Sequence, residues 1–225
     1  MPSRRQLLLA SVATLAVGCS PTPSLLDTHP DSDPSDGDPS DSGTGTDTGP
    51  QDTGPFDTGA PEDCAVTASL DSGPFFRPDA PDRTELRTLD EDGPILRLRF
   101  QVRSAADCAL LPGTSLELWH CQRNGLYDMQ SEEMHYRCKV TTGEFGRVVI
   151  TTLRPPGYGD MENRIQAHLH LKLIHPEHTT LVTQLRFAND PDDDGTTPAG
   201  LYLDPTVLED GAEDVSFVFS LSPNS

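Results

Sequence analysis

"ILRLRFQVR", residues 95–103, alternates without a break: Leu96, Leu98, Phe100 and Val102 fall on one side, and Arg97, Arg99, Gln101 and Arg103 on the other. A side-chain period of two is the period of a strand, so the stretch predicts a strand with one face in a core and the other toward water. Moving outward, "TSLELWHC", "GRVVITTL", "AHLHLKLI", "LVTQLRF" and "VSFVFSL" are further short strand-like runs. Between them stand "LPG", "RNG", "TTGEFG", "RPPGYG" and "NDPDDDG", rich in the residues that tight turns require. No long segment carries a 3.6-residue apolar period. The expected class is therefore all-β, built as a two-sheet sandwich.

The run "IQAHLHLKL", residues 165–173, adds chemistry to that pattern. His168, His170 and Lys172 project from one face of the expected strand, and Ala167, Leu169, Leu171 and Leu173 from the other. Two imidazoles on one strand face suit a metal only if other segments supply more ligands; otherwise they are solvated polar residues.

The ends bound the class. The start, "MPSRRQLLLASVATLAVGCS", has Arg4 and Arg5, then an apolar run from Leu7 to Val17 that is too short to span a bilayer but fits a signal peptide. Its close, "LAVGC", resembles a bacterial lipobox and makes Cys19 the expected lipidated residue. "SRRQLLL" resembles a twin-arginine export signal. Residues 1–19 are thus read as a signal peptide, and the protein as exported and lipid-anchored to a bacterial membrane. Residues 20–63 are Asp, Pro, Gly, Ser and Thr with a loose "DTG" repeat, eleven acidic side chains and no Lys or Arg. Such a segment buries too little apolar surface to offset its ordering entropy, so a disordered acidic tether is expected. Its Asp repeats lack the glycine-and-glutamate frame of a calcium loop.

Residues 64–225 have the size of one domain. They hold 25 acidic against 14 basic side chains, which speaks against a nucleic-acid partner. Cys64, Cys108, Cys121 and Cys138 would meet an oxidising compartment, so one or two disulfides are expected among three pairings. No close Cys pair favours a zinc site.

Two tyrosines stand in unusual places. Tyr127 follows the turn in "WHCQRNGLYD", and Tyr158 lies in the rigid loop "LRPPGYGD". Two phenolates and two imidazoles form a hard oxygen and nitrogen set suited to Fe(III). The order "SGPFFRPD", "LRLRFQV", "PGTSLELWHCQRNGLYD", "VTTGEFGRVVITTLRPPGYG", "AHLHLKL", "TQLRFANDP" resembles the intradiol ring-cleavage dioxygenases through nearly all of residues 64–220. The resemblance implies a non-haem Fe(III) bound by Tyr127, Tyr158, His168 and His170, with Gln184 in the active site. It implies insertion of O2 between the two hydroxyl-bearing carbons of a catechol-type aromatic to give a muconate-type diacid, with Tyr158 the tyrosinate displaced by substrate.

This chain departs from the family at two positions. The family has Arg three residues before the first histidine, where Ile165 stands here with Arg164 one residue earlier, and Gln166 replaces the usual proline. A bulge that brings Arg164 back to the iron is the expectation, which makes Arg164 a candidate catalytic residue. The helical dimerisation segment of catechol 1,2-dioxygenases also has no room here. The alternative reading is a non-catalytic surface lipoprotein that keeps the sandwich as a binding or structural module.

Overall fold

The computed structural model describes residues 64–88, 92–160 and 162–225. The signal segment, Cys19 and the acidic tether of residues 1–63 lie outside the described residues. The strands are β1 (Ile95–Ser104), β2 (Ser115–Trp119), β3 (Arg137–Thr141), β4 (Arg147–Leu153), β5 (His168–His175), β6 (His178–Phe187), β7 (Tyr202–Leu203), β8 (Thr206–Val207) and β9 (Glu213–Leu221). Among the described residues, helical structure is confined to a 3-10 turn at Ala199–Leu201.

Two sheets form, in the orders β4-β1-β9-β8 and β3-β2-β5-β6-β7. The alternation in β1 does what it predicts: Leu96, Leu98, Phe100 and Val102 are all fully buried. They face Leu116 and Leu118 of β2, Leu169, Leu171 and Leu173 of β5, and Leu185 and Phe187 of β6 in one continuous core. Each such side chain contributes roughly 1.5–3 kcal/mol on burial, so the inter-sheet layer is the main source of stability. Phe100 and Phe219 meet edge to face at 5.3 Å within it.

The two-residue β7 and β8 escape a reading of the sequence, and so does β3, "RCKVT". Its Arg137 is 1% exposed, held by Nε donating to the Asp128 carbonyl at 3.1 Å. Burial lowers its pKa to about 10, against the opposing pull of Asp128. Cys138 and Val140 alternate inward with exposed Lys139 and Thr141, but four alternating residues behind a buried arginine are a short signal, and the strand pairs on the edge of β2.

Cys64 and Cys108 form a disulfide, while Cys121 and Cys138 are buried free thiols. Burial pushes those thiols up to about 11 and about 12, which keeps them protonated and inert. The bridge closes a loop of 44 residues and ties the first described residue to the β1–β2 connection. On the chain-entropy account this stabilises the fold by on the order of 4 kcal/mol.

The sheet β3-β2-β5-β6-β7 has a second face, and here the structure departs from a simple half-exposed strand. His168 and His170 are 4% and 3% exposed, so they are buried on the side away from the core. The cover is the segment before β1. Leu70 N donates to Val182 O at 2.9 Å along β6, Gln184 Nε2 donates to the Asp71 carbonyl at 2.8 Å, and Gly73, Phe75 and Phe76 then lie against His170, Tyr127 and Trp119.

Candidate metal centre

Trp119 lies opposite His170 across the β2–β5 pair, and the two rings stack at 5.1 Å, 3° from parallel. Phe76 meets Trp119 edge to face at 5.1 Å, and Lys172 Nζ lies 4.9 Å from the Phe76 ring. Phe75 stacks on Tyr127 at 4.4 Å. The "GPFF" segment can approach this closely because Gly73 has φ +65° and a Cβ there would meet His170 Cε1 at 3.2 Å. Trp119, Phe75 and Phe76 together make a dry wall around the imidazoles.

Tyr127 reaches them from the β2–β3 connection. The Asp128 carboxylate accepts from the backbone N–H groups of Gln130, Ser131 and His135, which locks the loop behind Tyr127. Those bonds and the Ser131 hydroxyl hold its carboxyl well below the usual range despite burial. Tyr158 arrives on the loop after β4. Its backbone exchanges both hydrogen bonds with Ile165, N to O at 2.9 and 2.8 Å. Gly125, at φ +78°, lets the Tyr127 turn pass the Tyr158 loop, since a Cβ there would come within 2.9 Å of Tyr158 Cβ.

Three donor atoms converge. Tyr127 Oη lies 3.2 Å from His168 Nε2 and 3.1 Å from His170 Nε2, and the two Nε2 atoms are 3.0 Å apart. His168 Nδ1 donates to the Gln166 carbonyl at 2.8 Å, which fixes the tautomer and turns the Nε2 lone pair toward Tyr127 and His170. His170 Nδ1 is buried with no protein partner. Tyr158 completes the set, with its ring 6.0 Å from that of Tyr127 and 5.7 Å from that of His168. Separations near 3 Å are what donors about 2.0–2.2 Å from one shared ion present. Among the described residues no three His, Cys, Asp or Glu side chains gather at a metal's reach, so the cluster depends on its phenols.

The electrostatics agree with ligation. Burial lowers His170 to about 3, aided by repulsion from His168, and burial also lowers His168. Both imidazoles are therefore neutral through the physiological range, the form in which a ring nitrogen can donate to a metal. Burial raises Tyr127, and its hydrogen bond to Tyr158 raises it further. The same hydrogen bond favours ionised Tyr158, although burial still raises that phenol overall. Two buried phenols that resist ionisation in the protein alone need a cation beside them to become phenolates.

The other candidates fall as follows. Gln184 lies directly opposite His170 on β6, and its Nε2 donates to the Asp71 carbonyl at 2.8 Å. Arg164 does not join the cluster. Its side chain is 45% exposed and its guanidinium is paired with Asp192, Nε at 3.0 Å and Nη2 at 2.9 Å. The backbone pairs Ile165 with Tyr158, so the one-residue shift survives and Arg164 braces the loop from outside. Arg186, which is not among the candidates drawn from the sequence, stands opposite His168 on the neighbouring strand. The signal was available: it sits two residues after Gln184, on the same strand face.

The fold and the family have known relatives. Residues 71–196 match the family model described as Dioxygenase. The catechol 1,2-dioxygenase of Pseudomonas sp. (strain EST1001) is 28% identical over 140 residues, 53% of this chain and 46% of that protein. The structure of 3-chlorocatechol 1,2-dioxygenase from Rhodococcus opacus 1CP superposes with a TM-score of 0.65 at 25% identity, over 70% of this chain and 73% of that one. The dioxygenase domain of a dioxygenase carbohydrate-binding protein fusion from Streptomyces sp. SirexAA-E gives 0.61 at 28% identity, over 70% and 98%. The chain spans about half the length of most of the curated relatives it matches.

Proposed function

Because the chain belongs to the intradiol ring-cleavage dioxygenase family, we propose that it cleaves catechol-type aromatics between their two hydroxyl-bearing carbons at a non-haem Fe(III) centre, yielding a muconate-type diacid. The observation that carries this reading is the convergence of Tyr127 Oη, His168 Nε2 and His170 Nε2 within 3.0–3.2 Å, with Tyr158 beside them. Tyr127, Tyr158, His168 and His170 would hold the iron. Bound there, Fe(III) would supply the Lewis acidity that makes a chelated diol reactive toward O2.

The chain's own residues set the rest. The imidazoles stay neutral and hold their orientation, His168 through Gln166 and His170 through its stack on Trp119. Phe75, Phe76 and Trp119 exclude water from one side. The phenols differ in freedom: Tyr127 is 9% exposed and clamped by Phe75, whereas Tyr158 is half-buried on a loop. Tyr158 would therefore be the phenol with the freedom to move and to accept a proton from an incoming diol. Gln184, fixed by Asp71, lines the face beside His170.

Loading the full chain with Fe(III) should give a reddish protein with a tyrosinate-to-iron band, and aerobic catechol should then yield a muconate with uptake of O2. A colourless, iron-free protein after loading would remove the reading.

The location is proposed on separate grounds. The signal-like start and lipobox-like "LAVGC" suggest an exported protein anchored through Cys19, and the Cys64–Cys108 disulfide supports an oxidising compartment. Cys19→Ser is expected to move the protein from the detergent phase to the aqueous phase while it still binds iron. A variant that keeps partitioning into detergent excludes lipidation at Cys19.

A further inference from the structure

The departures from the family pattern lead to one side chain. On β6, Leu181, Thr183, Leu185 and Phe187 turn into the core, which places Val182, Gln184 and Arg186 on the face that carries the imidazoles. Arg186 is directly opposite His168 and half-buried. Gln166, two residues before His168, is 1% exposed. With its amide assigned so that both ends are satisfied, the Gln166 oxygen accepts from Arg186 Nε at 3.1 Å and Nη1 at 2.7 Å, and its nitrogen donates to Asp193 at 2.8 Å. The guanidinium is thus gripped through two N–H groups by a buried side chain. Its charge acts on Tyr158, His168 and His170, whereas Arg164 is committed to Asp192.

Resting on the function proposed above, we propose that Arg186 is the residue that meets the negative charge of a bound diolate at this centre, with Gln166 as its positioning residue. The two unusual positions then explain each other. Arg164 is displaced from the site, and Gln166, standing where the family has a proline, holds a replacement guanidinium on the next strand. A diol that chelates after losing its protons brings two negative charges into a half-buried site, where a fixed cation is worth more than in water. Asp194 also lies within the field of Arg186, but it is exposed and solvent screens it.

A fixed guanidinium repels the metal and attracts the diolate, and this opposition makes the assignment testable. In Arg186→Gln, competition with a chelator should show Fe(III) affinity unchanged or tighter. Anaerobic catechol titration, followed by the visible band, should show a Kd raised about 10- to 100-fold, the scale of one charge-assisted hydrogen bond. Arg186→Lys should recover part of the loss, since charge returns without the forked contact to Gln166. Catechol affinity unchanged in Arg186→Gln, or both affinities weakened together as structural damage would do, overturns the assignment. So does a loss found in Arg164→Gln alone. A parent that takes up no iron sinks the functional reading and this assignment with it, whereas a coloured parent with an indifferent Arg186→Gln sinks only the assignment.

Discussion

His168→Ala and His170→Ala are each expected to abolish iron retention at neutral pH while the domain stays folded. The imidazoles lie on the face away from the core, and their strand is anchored there by Leu169, Leu171 and Leu173, all fully buried. Truncation leaves those leucines in place, so the stability cost should stay near about 1–3 kcal/mol. A bound metal, by contrast, would lose one of two neutral nitrogens whose Nε2 atoms lie 3.0 Å apart, and the Tyr127 oxygen would be left facing a gap. His168→Ala has a further effect, since the Gln166 carbonyl loses the Nδ1–H that it accepts at 2.8 Å. Iron content per folded chain, with folding read from circular dichroism, decides the matter. Full iron stoichiometry in both folded variants would take the histidines out of the ligand set.

Tyr127→Phe and Tyr158→Phe should each weaken the visible band of the iron-loaded protein, and the double variant should be colourless. The effect on protons is as informative as that on colour. Burial keeps both phenols protonated in the metal-free protein, with Tyr127 pushed up further by its bond to Tyr158. The imidazoles are lowered, His170 to about 3, and have no proton to lose at neutral pH. Loading at pH 7 should therefore release about two protons from the phenols, and about one fewer in each single variant. The sign follows: metal affinity rises with pH because ligation competes with protons on phenols. Calorimetry in buffers of different ionisation heat measures the count. An unchanged band and proton count in both variants would show that neither tyrosine binds the metal.

The two tyrosines should differ in severity. Tyr127 Oη touches both Nε2 atoms and its ring is pinned by Phe75, so its loss should cost more iron. Tyr158 is held by two backbone bonds to Ile165 on an open loop, and its loss should fall more on substrate exchange than on retention.

Sequence alone determined the sheet character, because strict alternation in 95–103 can bury Leu96, Leu98, Phe100 and Val102 only as a strand. It also placed His168 and His170 on the face opposite Leu169 and Leu171, since a period of two leaves no other choice. Tyr127 and Tyr158 stood out by their turn and loop positions, and family resemblance gave them a ligand role, since their spacing in the chain says nothing of their distance in space. The tertiary structure decided the remainder. Strand β3 was hard to read because only Cys138 and Val140 alternate inward, and its buried Arg137 depends on a loop carbonyl and a neighbouring edge. The disulfide went to Cys64 and Cys108 because only the folded chain brings those two together, leaving Cys121 and Cys138 apart in the interior. The site guanidinium was least legible. Arg164 is near the first histidine in sequence yet pairs outward with Asp192, while Arg186, eighteen residues beyond His168, comes to lie opposite it in the β5–β6 register. Local periodicity settles which face a side chain takes, but strand pairing settles which residue it meets there.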